Sequence, residues 1–181
     1  MPIIDKPIVL IGLMGTGKTT IGKKLAKKLQ LPFTDSDEEA EQVAGCSIEN
    51  IFEFNGEEAF RKMESLIIQR LLSQPIAVIA AGGGAFVNTD SRAKILREAT
   101  SVWLKADIDV LVLRTARRRG RPLLNEGNPR QILKRLMRVR YPVYAEADIT
   151  VEIGNEGVNA SVNAICAALE KAGILPSDFY K

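Results

Sequence analysis

Short apolar runs alternate along this chain with longer segments in which apolar residues recur every three or four positions. The short runs are rich in residues that favour strands and end at glycine, proline or polar residues, a pattern typical of buried strands. They predict five strands, at residues 8–11, 33–34, 77–81, 101–104 and 149–153.

The longer segments have the period of amphipathic helices. Ile21, Leu25 and Leu29 recur every four residues and predict a helix from Lys18 to Leu29. A second apolar stripe precedes the third predicted strand and comprises Phe60, Met63, Ile67, Ile68 and Leu71. Four further helical patterns cover residues 89–98, 108–114, 132–139 and 158–169.

Strands that alternate with helices indicate an α/β fold, in which right-handed crossovers build a mostly parallel sheet covered on both faces. Ligands of such folds bind at the carboxyl ends of the strands. The chain has no internal repeat, low-complexity tract or linker rich in proline, glycine or serine. Residues 1–181 are therefore expected to form a single domain, with residues 176–181 as a loose tail.

The composition is that of a globular protein, with 46% apolar residues and 25 basic against 22 acidic residues, a net charge of +3. The apolar run at 8–14 is interrupted by Gly12 and is too short for a signal peptide or a membrane span. The protein is therefore expected in the cytoplasm without a membrane partner. Cys46 and Cys166 are too few to crosslink a domain of this size and are expected to be reduced thiols.

The chain contains no histidine. This absence excludes a Ser-His-Asp or Cys-His triad, an imidazole general base and a zinc site with histidine ligands. Any catalysis must use carboxylates, lysine, arginine and backbone amides.

A phosphate-binding loop is the most specific motif in the sequence. Gly12, Gly17, Lys18 and Thr19 satisfy the pattern G-x-x-x-x-G-K-[ST], between the first predicted strand and the first predicted helix. Glycines let the backbone curl so that successive N–H groups point at a phosphate, and the helix N-terminus adds partial positive charge. Lys18 is expected to reach the β- and γ-phosphate oxygens of ATP, and the Thr19 hydroxyl to bind Mg²⁺.

Two carboxylates, Asp35 and Asp37, follow the second predicted strand at the same edge of the sheet as the phosphate loop. Phosphoryl transfer needs one acid on the magnesium side and one to orient or deprotonate the accepting hydroxyl. A helix N-cap followed by first-turn acids, which continue with Glu38 and Glu39, explains the same residues without any catalytic role.

Gly82, Gly83 and Gly84 follow the third predicted strand directly. Glycines at that edge allow a ligand to approach the backbone, so they are expected to form the floor of a binding site, although a structural turn explains one or two of them. The third predicted strand is therefore followed by glycine and not by the Asp-Glu pair expected of motor and helicase ATPases, which argues against a motor function.

Residues 114–140 contain ten basic residues against one acidic residue, a net charge of +9. Such a concentration normally indicates an anionic partner, either a polyphosphate or a nucleic acid, or else a solvated basic face. Residues 114–127 are expected to form a lid that closes over ATP, brings arginines to the phosphates and excludes water. Aromatic side chains that could stack on bases are absent until Tyr141 and Tyr144, which argues against an RNA-binding surface.

Together these motifs resemble those of the shikimate kinase family, in the same order, from about residue 8 to residue 153. The motifs are the loop at 12–20, Asp35-Ser36-Asp37, Gly56-Glu57, Phe60-Arg61 with Glu64, Gly82-Gly83-Gly84, Arg121-Pro122-Leu123-Leu124, and Arg140 with Tyr144.

The resemblance implies a P-loop fold of the nucleoside-monophosphate-kinase type, a three-layer sandwich around a five-stranded parallel sheet. It also implies that ATP phosphorylates shikimate at the 3-hydroxyl. The substrate-binding positions that match are Asp37, Arg61, Gly82, Gly83, Gly84 and Arg140. Arginines suit a carboxylate because guanidinium presents a fixed fork of donors, and Asp37 would accept ring hydroxyls and serve as the base.

On the nucleotide side, the resemblance places Arg114 against adenine and the lid residue Arg121 on the phosphates, where Arg121 contributes to catalysis with Lys18 and Asp37. Thr19 and Asp35 match the magnesium side. The remaining ATP-binding positions of the loop are Gly15, Thr16, Gly17 and Thr20. A monomer that binds only shikimate and ATP, without nucleic acid, is expected.

Two other functions are compatible with parts of the sequence. A sister kinase such as gluconate kinase also takes a substrate with a carboxylate and hydroxyls, but the Phe60-Arg61 and 121–124 motifs argue against it. An ATP-switched nucleic-acid-binding protein would explain the basic segment and predicts salt-sensitive retention on DNA or RNA.

Overall fold

The computed structural model describes residues 4–116 and 127–179 of the chain. Within these ranges the strands are β1 (Ile8–Ile11), β2 (Phe33–Asp35), β3 (Val78–Ala80), β4 (Thr100–Ala106) and β5 (Ile149–Ile153). The helices are α1 (Lys18–Leu29), α2 (Ser36–Ala44), α3 (Ile48–Leu72), α4 (Thr89–Glu98), α5 (Ile108–Thr115), α6 (Pro129–Tyr144) and α7 (Val158–Lys171).

The five strands form one parallel sheet in the order β2-β3-β1-β4-β5. β1 lies at its centre and is buried along its whole length, which explains why Ile8–Ile11 has no polar position. Helices α1 and α7 pack together, as do α3 and α4. The predicted α/β fold with a five-stranded parallel sheet is confirmed.

The order of the strands determines where ligands can bind. From β1 the chain crosses to β2 and returns through β3 on one side, and it then continues to β4 on the other side. A crevice forms outside the carboxyl end of a strand where the order reverses in this way. The loop that follows β1, and the segments after β2 and β3, therefore meet at one edge.

Helix α3 is interrupted at Gly56, where φ is 81° and ψ is 167°. A Cβ at this position would meet no atom within 4 Å, so the positive φ and not the available space favours glycine. The break changes the direction of the chain between Ile48, at the start of the helix, and Arg61 beyond it.

Helix α6 is longer than the apolar pattern predicted. Asn128 caps it by accepting from the N–H groups of Arg130 and Gln131, and Pro129 occupies its first turn. The helix continues through Pro142 to Tyr144, so Arg140 and Tyr144 lie one turn apart on the same helix.

One residue of the predicted loose tail packs against the rest of the chain. The side chain of Phe179 contacts the hydrophobic core, and its N–H donates to the carbonyl of Pro176 at 3.1 Å. Residues 176–178 are exposed, and Leu175, directly before the predicted tail, is buried.

Two other sequence-based expectations can be compared with the structure. Neither Cys46 nor Cys166 forms a disulfide. Among the described residues, no helix has both the length and the apolar character needed to cross a membrane.

Candidate active site

A cleft at the carboxyl edge of the sheet brings together most of the predicted site residues. They are Gly15, Gly17, Lys18, Thr19, Asp35, Asp37, Arg61, Gly83, Gly84 and Arg140. Further side chains line the same cleft from α2 and α3, among them Phe52, Phe60 and Glu64.

The loop after β1 has the backbone of a phosphate-binding loop. Gly15 and Gly17 have φ values of 89° and 86°, in the left-handed region that favours glycine. A Cβ on Gly15 would also lie 2.9 Å from the Thr115 side chain. Gly17 is the N-cap residue of α1, so the loop leads directly into the positive end of that helix.

Lys18 folds back over this loop. Its ammonium donates to the carbonyl oxygens of Gly12 at 2.7 Å and Leu13 at 3.1 Å. The Thr16 side chain is fully buried, and its hydroxyl donates to the Leu13 carbonyl at 2.9 Å. Thr16, which was predicted to bind ATP, therefore stabilises the loop with its side chain.

Asp35 uses its two carboxylate oxygens in different ways. Oδ1 accepts from the N–H groups of Asp37 at 2.8 Å and Glu38 at 3.2 Å, which caps α2. Oδ2 accepts from the Thr19 hydroxyl at 2.5 Å. The helix cap that the sequence offered as an alternative interpretation occurs in the structure, and the same carboxylate also contacts the first turn after the phosphate loop.

The three glycines after β3 have different surroundings. Gly83 and Gly84 line the cleft, whereas Gly82 does not, and its N–H donates to Ser36 Oγ at 2.9 Å. A Cβ on Gly82 would lie 2.6 Å from Oδ1 of Asp37 and would overlap Oε2 of Glu64. Gly82 thus lets two carboxylates approach the backbone.

Glu64 was not predicted as a binding residue. Its side chain is only 4% exposed, and Oε1 accepts from Arg61 Nη1 at 2.9 Å. Oε2 is buried and has no hydrogen-bond partner among residues 4–116 and 127–179. The available signal was its position three residues after Arg61, on the same face of a helix.

The charges around Glu64 favour an anionic ligand. Burial raises the pKa of Glu64 above its ordinary value of 4.5, while the positive charges of Arg61, Arg140 and Lys18 act in the opposite direction. Three cations therefore surround one buried carboxylate. The Arg61 guanidinium also lies over the ring of Phe60, 5.2 Å from its centroid.

Arg140 and Tyr144 reach the glycines from α6. A Cβ on Gly83 would lie 3.0 Å from Arg140 Nη1 and 3.8 Å from Tyr144 Oη. The Tyr144 hydroxyl donates to the carbonyl of Gly83. Arg140 is 7% exposed and Tyr144 is fully buried, so α6 presents both side chains to the interior end of the cleft.

A second hollow lies on the other side of the phosphate loop. The residues that line this hollow include Gly15, Gly17, Thr20, Arg114, Gly157 and Ser161. Arg114 donates to the carbonyl of Thr16 at 3.0 Å and to the carbonyl of Gly154 at 2.7 Å. Arg114 and Thr20, which were predicted on the nucleotide side, therefore stand together there, next to the loop at residues 154–157.

Part of the predicted lid cannot be placed in this geometry. Arg121 and the rest of residues 117–126 in the predicted lid lie outside the described residues. Within the described ranges, no cluster of three or more histidine, cysteine, aspartate or glutamate residues could hold a metal ion by itself.

Comparison with known proteins gives consistent matches. The family model for shikimate kinase matches residues 14–170. The chain is 49% identical over 171 residues to shikimate kinase from Caulobacter vibrioides, covering 94% of this chain and 86% of that protein. It is 50% identical over 166 residues to shikimate kinase from Paramagnetospirillum magneticum, covering 92% and 85%.

The solved structures agree. Shikimate kinase from Acinetobacter baumannii in complex with shikimate has a TM-score of 0.89 and 36% identity, covering 92% of this chain and 94% of that chain. A gluconokinase from Sinorhizobium meliloti has a TM-score of 0.62 at 19% identity, covering 93% and 94%. The gluconokinase match shows a shared fold and nothing finer.

Proposed function

The chain belongs to the shikimate kinase family, and we propose on that premise that the cleft between Lys18 and Arg140 is its catalytic site. The enzyme transfers the γ-phosphate of ATP to the 3-hydroxyl of shikimate and forms shikimate 3-phosphate, a step of the shikimate pathway to aromatic amino acids. The observation that supports the location best is the cluster of Arg61 with the buried Glu64 and Arg140 beside the phosphate loop.

In this proposal Arg61 and Arg140 bind the carboxylate of shikimate. Both guanidinium groups line the cleft, and both lie close to the glycines at its floor. Guanidinium can donate two parallel hydrogen bonds to a carboxylate, which fixes the orientation of the ring. Glu64 holds the Arg61 guanidinium by its 2.9 Å ion pair and limits the rotamers open to that side chain.

Asp37 is proposed to accept a hydroxyl of the substrate. It lies in the first turn of α2, lines the cleft, and its carboxylate stands against Gly82. A carboxylate that accepts the attacking hydroxyl orients its oxygen for in-line transfer and can take its proton. Gly82, Gly83 and Gly84 contribute by leaving room for these groups and for the ring.

ATP is proposed to bind across the phosphate loop. The N–H groups of the loop and the ammonium of Lys18 would bind the phosphates, and Lys18 would stabilise the charge that moves during transfer. Arg114 and Thr20 line the second hollow, which suits the adenosine end. Arg121, in the predicted lid, would also reach the phosphates.

The donor set beside the loop fits Mg²⁺. This ion prefers oxygen ligands and usually binds through one or two protein groups, nucleotide phosphates and several waters. The Thr19 hydroxyl and the Asp35 carboxylate stand 2.5 Å apart at the loop, and the described residues contain no larger cluster of metal-binding side chains. Thr19 and Asp35 would hold the ion, which neutralises charge on the transferring phosphates when bound.

The same proposal includes a cytoplasmic monomer that acts on small molecules and does not bind nucleic acid or membranes. The expectation about nucleic acid is tested by retention on DNA or RNA columns at low salt, where an ATP-switched binding protein would be held and released by salt.

The substrate assignment is tested by ADP release in a coupled assay with Mg-ATP and a panel of shikimate, quinate and gluconate. We expect rapid turnover of shikimate and only background with gluconate, because gluconate does not present its carboxylate and hydroxyls on a rigid ring. Comparable turnover of shikimate and gluconate would overturn the assignment.

A further inference from the structure

The phenol of Tyr144 joins two parts of the cleft that come from distant segments of the chain. Its hydroxyl donates to the carbonyl of Gly83, in the segment after β3, and lies beside the guanidinium of Arg140, on α6, with both groups next to Cα of Gly83. The ring is fully buried. It packs between other aromatic rings, with its centroid 5.9 Å from that of Trp103 and 6.3 Å from that of Tyr141.

An arginine that clamps a substrate needs support of this kind. The long side chain has considerable rotamer entropy, which binding must remove unless the protein has already done so. Arg140 is 7% exposed, and the described residues record no ion pair within 4.0 Å for it. The buried hydroxyl of Tyr144 places an acceptor beside this guanidinium, where it can restrict the rotamers of the arginine.

The contact with Gly83 has a second consequence. A peptide unit is planar, so fixing the direction of the Gly83 carbonyl also fixes the N–H of Gly84 on the opposite edge of the same peptide. Gly83 and Gly84 both line the cleft. One hydroxyl is therefore placed next to both the guanidinium and the backbone that line the cleft.

We propose that Tyr144 is a positioning residue for substrate binding, which holds Arg140 and the Gly83–Gly84 peptide in the one arrangement that fits the carboxylate-bearing ring. This inference rests on the proposed role of Arg140. The hydroxyl remains a donor at working pH, because burial raises the pKa of Tyr144 to about 12 despite the neighbouring charge of Arg140. Tyr144 does not touch the reacting atoms and takes no part in proton transfer.

Tyr141 provides a matched control on the same helix. Its hydroxyl donates to the carbonyl of Ala106 at 2.6 Å, and its ring packs on Trp103 with a centroid distance of 4.9 Å. Burial raises the pKa of Tyr141 to about 12 as well. Tyr141 thus shares the ring packing and the backbone hydrogen bond of Tyr144, but its hydroxyl is directed to β4 and not to the glycines of the cleft.

The first experiment compares Tyr144→Phe with Tyr141→Phe. Both changes remove one hydroxyl and keep the ring, so similar losses of melting temperature are expected. Tyr144→Phe should raise the KM for shikimate about tenfold, with kcat within about threefold and the KM for ATP unchanged, because the hydrogen bonds act on ground-state and transition-state binding alike. Tyr141→Phe should change none of these constants by more than about twofold.

Three outcomes of this comparison would contradict the inference. Equal shikimate KM values for the two variants, or a Tyr144→Phe chain that does not fold while Tyr141→Phe does, would reduce the hydroxyl to a structural role and overturn the inference. A loss confined to kcat would also overturn it, since a positioning residue for a bound carboxylate acts on affinity.

A double-mutant cycle with Arg140→Ala separates this inference from the proposed function on which it rests. If Arg140→Ala leaves the shikimate KM unchanged, the assignment of the carboxylate clamp fails. If Arg140→Ala raises that KM and Tyr144→Phe does not, only the inference about Tyr144 fails. If Tyr144 acts through Arg140, adding Tyr144→Phe to the Arg140→Ala enzyme should raise the shikimate KM by much less than about tenfold. If the effects of the two substitutions on this KM are fully additive, Tyr144 does not act through Arg140.

Discussion

The Thr19 hydroxyl donates to Oδ2 of Asp35 at 2.5 Å, while Oδ1 of the same carboxylate caps α2. This contact joins the first helix turn after the phosphate loop to the end of β2. One side chain thereby stabilises a helix and places a negative oxygen next to the proposed magnesium ligand. The two roles can be separated, because the cap needs only one oxygen.

Asp35→Asn should preserve the cap and impair magnesium-dependent catalysis. Asparagine caps helices about as well as aspartate, so the free energy of unfolding should fall by no more than about 1 kcal/mol. Loss of the anionic oxygen should lower kcat by roughly a hundredfold and raise the Mg²⁺ concentration for half-maximal rate. Urea unfolding and a Mg²⁺ titration of the rate test this, and unchanged Mg²⁺ dependence would contradict it.

Gly84→Ala should damage substrate binding more than stability. A Cβ on Gly84 would overlap Nη1 of Arg61, so the guanidinium must move away from its place in the cleft. The Arg61 side chain is 24% exposed and can swing outward, so the fold should survive. We expect the shikimate KM to rise at least about tenfold, measured with ATP saturating.

Gly173→Ala is the control for this change. Gly173 has a φ of 74°, and a Cβ there would meet no atom within 4 Å. Alanine at this position should therefore cost roughly 1 kcal/mol of stability through backbone strain alone. Its shikimate KM should stay at the wild-type value. If the two alanine variants showed the same KM, the proposed place of Arg61 in substrate binding would be wrong.

The fold could be predicted well because its signals are local. The buried strands have continuous apolar runs, and the predicted bounds of β1, β5, α1 and α4 agree with the structure. α6 was predicted too short, because its first turn is defined by the cap at Asn128 and Pro129, outside the apolar period. The last turn of α6 was also missed, because it contains Pro142 and proline normally ends a helix pattern.

The site was less predictable where side chains from distant segments meet. The motifs identified Asp37, Arg61 and Arg140, but the role of Gly82 in admitting two carboxylates depends on the approach of α2 and α3 to β3. The partners of Tyr144 are likewise set by the packing of α6 against the glycine segment, at a separation of 61 residues. No sequence period carries such information.

Glu64→Gln should remove the loss of stability that ionisation of the buried Glu64 carboxyl causes as the pH rises. Burial raises the pKa of Glu64 above 4.5 in the folded protein. Such a carboxyl binds its proton more tightly when folded, so its contribution to stability is complete below 4.5 and is lost as the pH rises through the folded pKa. Glutamine has no proton to lose.

The free energy of unfolding of Glu64→Gln, relative to wild type, should therefore increase as the pH rises from 4.5 towards neutral. Urea denaturation of both proteins over that pH range measures the difference, in which other titrating groups largely cancel. A difference that does not depend on pH would show that burial of Glu64 has no such effect.

Lys18→Met should abolish most of the catalytic rate without unfolding the protein. The ammonium is held at the loop by the carbonyls of Gly12 and Leu13, where it would meet the transferring phosphoryl oxygens. Deleting a positive charge that stabilises the transition state should lower kcat by several powers of ten. Lys24→Met, at an exposed position of the same helix, is the control and should retain full activity. A Lys18→Met enzyme with nearly normal kcat would mean that the loop is not the catalytic site.

Arg140→Ala should change the kinetic constants in a different way from the removal of a residue that binds the transferred phosphate. The charge of the substrate carboxylate does not change during transfer, so a contact with Arg140 is similar in the ground state and the transition state. Its removal should raise the shikimate KM more than it lowers kcat. Arg121→Ala, which removes the proposed lid contact with the phosphates, should instead lower kcat by roughly a hundredfold and change the shikimate KM less.

Steady-state kinetics of the two alanine variants, with ATP saturating and shikimate varied, give this comparison directly. Arg140 is also buried beside Glu64, so its loss removes a charge that opposes the raised pKa of that carboxyl. Circular dichroism and melting temperatures should therefore accompany the kinetics, to show that the Arg140→Ala protein is folded when its KM is measured. If Arg140→Ala changed only kcat and Arg121→Ala changed only the shikimate KM, the proposed positions of both arginines would have to be exchanged, because each effect reports which group of the substrates the side chain binds.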